Sequence, residues 1–366
     1  MREYVLTAAV VAAVAYVFTP VARRIALSIG AFTEVRERDV HVIPTPRLGG
    51  LAMYAGVAAG LLVASRLPTL QRIFTTSEAR GVLMGGGLLV LLGAVDDKWS
   101  LDALTKLAGQ VLAAGVMVLQ GLQLLYLPVP RYGTLVLTPE VGVPATVLLV
   151  VLTVNAVNFI DGLDGLAAGV VAIAALAYFT YSYELSVVHH LDRATPPTLI
   201  TAVLAGACIG FLPHNFNPAR VFMGDSGSML LGLMLAAATV SLTGQLDASA
   251  VTSFELGPAL LPLLLPLGLL AIPVVDLLLA VVRRTRAGRS PFSPDKAHLH
   301  HRLLEIGHSQ RRAVVIMYFW TALLAGAAVA IALTGGPALV LSIGGAVAVV
   351  LLVASRLPAL LAARRH

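Results

Sequence analysis

The stretch NAVNFIDGLDGLAAG, residues 155–169, sets Asn155, Asn158, Asp161 and Asp164 at three-residue steps among glycines. A second acidic group, Asp96 and Asp97, lies in LLGAVDDKWSLDALTKLAGQ, with Lys106 further along the same run. Asp225 stands alone in HNFNPARVFMGDSGSMLLG, and HLHH supplies His298, His300 and His301 beside Lys296 and Arg302. Carboxylate and amide oxygens suit a hard cation such as Mg²⁺, which keeps several waters and commonly bridges one or two carboxylates to substrate phosphates. Lys106 is a point charge suited to a phosphate. A Cys/His zinc site would need thiolates, and the chain has one cysteine, Cys208. Histidines among cations therefore read as phosphate binders. The MGDSG turn places Asp225 just ahead of a new helix, whose first amide groups favour anions.

Residues three apart are neighbours on a helical surface, so Asn158 pairs with Asp161, and Asp161 with Asp164. The row drifts by about 60° at each step, so all four polar residues share a face only if the helix loosens. Gly162 and Gly165 permit that loosening.

These groups sit in a chain of 366 residues that is 58% hydrophobic and 12% charged, with mean hydropathy +0.88. Soluble domains average about 25% charged residues, so the composition is that of an all-α polytopic membrane protein. Apolar runs of about 17–25 residues mark spans, and eleven are expected, near 4–22, 48–65, 81–95, 104–124, 144–160, 166–182, 197–213, 227–244, 258–282, 313–333 and 337–355. The basic flank follows the first run, at Arg23 and Arg24, so this run reads as a span and not as a removable signal. Cytoplasmic loops are enriched in Lys and Arg. With the N-terminus outside, only Arg2, Arg66, Arg72, Arg80, Arg131 and Arg193 face out, and the other 19 of 25 face in. The C-terminus is then cytoplasmic. The net charge of +6 belongs to this asymmetry, and nucleic acid is not an expected partner.

With this topology the acidic junctions converge on one face of a single domain, 1–366, through cytoplasmic loops near 23–47, 96–106, 158–165, 214–226 and 283–312. That face is where a soluble substrate meets a lipid. Plainer uses stay open at this stage. Asp96 and Asp97 suit a solvated helix end, and HLHH suits a lipid headgroup anchor. Asp276, in IPVVDLLLAVVRR, is an ionisable residue at membrane depth near Arg283. A secondary transporter is the rival class, but transporter sites lie near the midplane on broken helices. A lipid-binding scaffold without catalysis is the third reading. MGGGLLVLLG is a helix-packing stretch of small residues and not a phosphate loop. The echo of LLVASRLPTL in LLVASRLPAL is too short to mark a duplication.

The ordered set PTPRLGG, DDKWSLDALTKLAGQ, NAVNFIDGLDGLAAG, FNPARVFMGDSGS and HLHH, over residues 44–301, resembles the polyprenyl-phosphate N-acetylhexosamine-1-phosphate transferases. The resemblance implies ten or eleven helices in a bacterial plasma membrane and a cytoplasmic active site. It implies transfer of a sugar phosphate from a UDP-sugar to undecaprenyl or decaprenyl phosphate, with Mg²⁺ as cofactor and Mn²⁺ as a substitute. Carried over by residue, Asp96 and Asp97 match the family's essential acidic pair and Lys106 the lysine of its phosphate site. Asp225 matches its metal-binding aspartate, with Asn158 as second ligand. Asp161 and Asp164 fall on nucleotide-binding positions, and Phe222 on the aromatic that lies against uracil. The His-x-His-His form, with Arg302 after it, looks like the branch using UDP-N-acetylglucosamine. The muramoyl-pentapeptide branch typically shows three consecutive histidines, a run that Leu299 breaks here. It also often carries a basic residue ahead of PTP, where this chain has Val42 and Ile43. Membrane lipids surround such a protein, and a homodimer stays open.

Overall fold

The computed structural model describes residues 1–32, 45–129, 133–187, 191–243 and 309–334, with residues 285 and 345. Among these residues it holds nine α-helices: α1 (Arg2–Ile29), α2 (Gly49–Ala64), α3 (Glu78–Trp99), α4 (Ala103–Leu119), α5 (Pro139–Ile160), α6 (Leu166–Val187), α7 (Thr195–Asn215), α8 (Gly224–Thr243) and α9 (Gln310–Thr334). Seven of them are long and apolar enough to cross a membrane, and α2 and α4 are shorter apolar helices. All nine coincide with expected spans, and the runs near 258–282 and 337–355 lie outside the described residues. Helix α3 outruns its expected run because its polar last turn, 96–99, remains helical, whereas α2 and α4 fall short of theirs. Asp96 and Asp97 lie in the last turn of α3, at the end of the third span as expected.

The expectation of an all-α chain needs one correction. Between α4 and α5 a small antiparallel hairpin pairs β1 (Tyr126–Val129) with β2 (Gly133–Val136). The run from Tyr126 to Val136 is rich in β-branched and aromatic residues, which favour a pleated conformation, and Pro128 and Gly133 disfavour helix.

Apolar residues on every side of α8 call for a helix buried all round. It is the axis of the bundle, buried along nearly its whole length and packed by α2, α3, α5 and α7. Apolar side chains gain little from association when lipid is the alternative, so close backbone approach at small residues takes over. A Cβ on Gly93 of α3 would strike the Asp225–Ser226 backbone, one on Gly50 of α2 the Ser226–Gly227 backbone, and one on Gly232 the backbone of α5. These contacts hold the first turn of α8 within reach of side chains from α3 and α5.

The opposite end of the bundle is pinned separately. Glu3 accepts from the backbone N–H groups of Thr69 and Leu70 at 3.0 and 3.1 Å, which opens the 3₁₀ turn Leu70–Thr75. The buried Glu78 at the start of α3 accepts from the Ser241 hydroxyl near the end of α8.

Candidate active site

The end of α3, the start of α4, the end of α5 and the start of α8 meet at one point. Lys106 Nζ lies 2.7 Å from Asp96 Oδ2 and 2.8 Å from Asp225 Oδ2. The other oxygen of Asp225 accepts from Asn158 Nδ2 at 3.1 Å, and the same amide nitrogen donates to Ser228 Oγ at 2.9 Å. Both bonds use the Asn158 nitrogen, which leaves its carbonyl oxygen as the potential ligand. Asp97 turns the other way and accepts from the backbone N–H of Asp225 at 2.9 Å, and from Ser226 N–H and Oγ at 3.3 and 3.0 Å.

The polar row of residues 155–164 does not loosen as a helix. Helix α5 ends at Ile160, Asp161 is its C-cap, and a turn follows in which Gly165 takes φ +77°. The row therefore divides its labour. Asn155 makes a side-chain amide pair with the buried Gln110 of α4, its nitrogen donating to Oε1 at 2.6 Å. Asn158 serves the cluster at Asp225. Asp164, expected at the nucleotide, is buried and accepts from Asn217 Nδ2 at 2.9 Å and Ala219 N–H at 3.0 Å. These contacts fasten the 217–219 loop. Asn215 ties the same region, accepting from Gly165 N–H at 3.1 Å and donating to Val221 O at 3.0 Å.

Asp161 is partly accessible on the surface yet closely surrounded by protein. Burial, the neighbouring charges of Asp225 and Asp97, and a smaller push from Asp164 raise its carboxyl to about 8, while Arg47 opposes the rise. Arg47, in PTPRLGG, was not singled out from the sequence, although a cation ahead of a double glycine was the available signal. The glycines explain its place. Phe222 N–H donates to Pro46 O at 2.8 Å, Gly49 N–H to Phe222 O at 3.0 Å, and Gly50 N–H to Met223 O at 3.0 Å. This backbone ladder seats Arg47 beside the cluster and fixes the backbone of Phe222.

Asp96, Asp97, Asp161 and Asp225 face Lys106 and Arg47, so the fully ionised cluster carries two negative charges in excess. That imbalance and the all-oxygen donor set suit a divalent hard cation. Among the described residues no three His, Cys, Asp or Glu side chains form a ready metal cage. An ion held by few protein ligands and completed by water and phosphate fits such a site. His298, His300, His301, Arg302 and Asp276 lie outside the described residues.

Residues 79–243, which include all four acids of the cluster, match the family model described as Glycosyl transferase family 4. The chain is 49% identical over 336 residues to the decaprenyl-phosphate N-acetylglucosaminephosphotransferase of Mycolicibacterium smegmatis, covering 90% of this chain and 83% of that one. It is 32% identical over 318 residues to a probable undecaprenyl-phosphate N-acetylglucosaminyl 1-phosphate transferase of Bacillus subtilis, covering 86% and 81%. The undecaprenyl-phosphate alpha-N-acetylglucosaminyl 1-phosphate transferase of Escherichia coli K12 matches at 27%, covering 84% and 78%. With such likeness over nine-tenths of its length, the chain belongs to the polyprenyl-phosphate N-acetylhexosamine-1-phosphate transferase family.

Proposed function

We propose that this protein transfers N-acetylglucosamine 1-phosphate from UDP-N-acetylglucosamine to a polyprenyl phosphate and releases UMP. The observation that carries the reading is the four-element cluster in which Lys106 bridges Asp96 and Asp225 while Asn158 holds the other oxygen of Asp225. Decaprenyl phosphate, the lipid in the name of the 49% identical relative, is the first acceptor to test. The reading puts the cluster on the cytoplasmic side, because 19 of 25 basic residues belong to the junctions at that end. The acids lie at helix ends and not at mid-bundle, which favours a transferase over a transporter.

In the reaction a lipid phosphate oxygen attacks the sugar-bearing phosphorus. A P–O bond forms there, the bond from that phosphorus to the bridging oxygen breaks, and UMP leaves with that oxygen. A phosphomonoester has its second pKa near about 6, so at neutral pH the attacking oxygen is already largely ionised and needs no strong base. Asp225 Oδ1 and the carbonyl oxygen of Asn158 would hold Mg²⁺, which supplies charge neutralisation on the diphosphate. Asp96 keeps Lys106 at the edge of the cluster, where its ammonium meets phosphate oxygens. Phe222, whose backbone is bonded on both sides, takes the uracil face in this reading.

The test is purified protein with decaprenyl phosphate and Mg²⁺, offered UDP-N-acetylglucosamine and UDP-N-acetylmuramoyl-pentapeptide in competition. UMP release with lipid-linked N-acetylglucosamine is the expected product. Asp225→Asn, or a chelator, lowers turnover by more than about a hundredfold, as loss of a charge-neutralising group does, while circular dichroism shows an intact helical protein. Preference for the pentapeptide donor, or robust turnover in chelator, overturns the reading.

A further inference from the structure

Both oxygens of Asp97 accept from the start of α8. Its Oδ1 is taken by the Asp225 N–H and its Oδ2 by the Ser226 N–H and hydroxyl. The residue is 5% exposed and Ser226 is 0% exposed. A Cβ on Gly224 would overlap the Asp97 carboxylate, so the helix start rests directly against it.

These donors belong to the first turn of α8, and the first four N–H groups of a helix have no partner within it. A helix normally meets that need with Ser, Thr, Asp or Asn at the preceding position. The residue preceding α8 is Met223, which has no side-chain acceptor of that kind. The cap must come from elsewhere in the chain, and α3 delivers it. The adjacent acids of α3 then divide the work. Asp96 holds Lys106, which reaches the Asp225 side chain, and Asp97 holds the backbone from which that side chain projects.

We infer that Asp97 and Ser226 form a positioning pair, a cap supplied from α3 that aims Asp225, and that Asp97 neither accepts the substrate's proton nor ligates the metal. The inference rests on the proposed transferase reading only for its turnover measurements. Asp97 is buried against the start of α8, and a shift of its side chain away from that turn would release the residue that the reaction depends on.

Asp97→Asn, Asp97→Ala, Ser226→Ala and Asp97→Asn/Ser226→Ala in the full-length protein test this, with two readouts. The first is turnover between pH 6.5 and 9, with apparent Mg²⁺ dependence separated from kcat. The second is the rise in thermal midpoint on Mg²⁺ titration without substrate, which reads the aim of Asp225 independently of catalysis. Ser226→Ala removes no acid or base, yet is expected to weaken apparent Mg²⁺ affinity about threefold to tenfold in both readouts. Asparagine also caps helices well, so Asp97→Asn is expected to retain at least about tenfold more activity than Asp97→Ala, with no recovery at pH 9. The double variant should be no worse than Asp97→Asn within about threefold, because residues acting as one unit are not additive. Recovery of Asp97→Asn at alkaline pH would make Asp97 a base and overturn the inference. So would an unaltered Ser226→Ala or losses that multiply in the double variant. If an Asp97 variant fails to fold, Ser226→Ala still decides. If the wild type proves inactive as a transferase, the functional reading fails while the Mg²⁺ titration of the melt still tests the cap.

Discussion

Asp161 is the residue whose charge the fold governs most visibly. Its carboxyl is raised to about 8, first by burial and then by the charges of Asp225 and Asp97. A carboxyl raised above its unfolded value favours the folded state most at low pH. That contribution is full below the usual value near about 4 and is lost as the pH climbs through about 8. A proton there also competes with a cation for the same negative field. Apparent Mg²⁺ affinity, read from the thermal midpoint, should therefore rise by about tenfold between pH 6.5 and 8.5. Asp161→Asn should flatten that rise, and affinity that stays level across the range in the unaltered protein would contradict the assignment. Asp164 has a different use, since its Oδ2 accepts from Asn217 and Ala219 and holds a loop. Asp164→Ala should mainly lower stability, with donor KM changing only as the loop loosens.

At the scale of elements, the start of α8 decides the geometry of the cluster. Gly224 adopts φ +69°, where side chains other than glycine are strained, and it also abuts the Asp97 carboxylate. Gly224→Ala meets both penalties and should lower turnover by more than about a hundredfold together with a lower melting midpoint. Gly115 of α4 is the control, since a Cβ there meets nothing within 4 Å. Gly115→Ala should leave turnover within about twofold and leave the midpoint unchanged or slightly higher, because alanine favours helix over glycine. Equal behaviour of the two variants would remove the special role given to the start of α8.

For the whole molecule, the testable claim is which way it sits in the membrane. Arg66 follows α2 at the end away from the cluster, whereas Lys98 lies in the last turn of α3 beside it, and both are exposed. The lone cysteine, Cys208, is fully buried, so the unaltered protein gives little background with thiol reagents. A membrane-impermeant maleimide on intact cells should label Arg66→Cys and spare Lys98→Cys until the membrane is permeabilised. The reverse pattern would place the cluster outside and defeat the proposed use of a cytoplasmic nucleotide sugar.

Hydropathy and motif order alone determined that the chain is a helical membrane protein, where nine described helices lie, and that Asp96, Asp97, Lys106, Asn158 and Asp225 belong together. Those features are local, because a span needs only a run of apolar residues and a motif only its own residues. The partners of the polar groups were not legible, since a carboxylate in a sequence looks the same whether it meets a cation, a loop amide or a helix end. Packing separated them. The hairpin at 126–136 was hidden because a short β-branched run between spans differs little from the edge of an apolar helix. Arg47 gained meaning only when Gly49 and Gly50 laid its segment against residues 222 and 223. Asp97 and Ser226 are 129 positions apart, and only the close approach of α3 to α8 at Gly93, where a side chain would not fit, makes one the cap of the other.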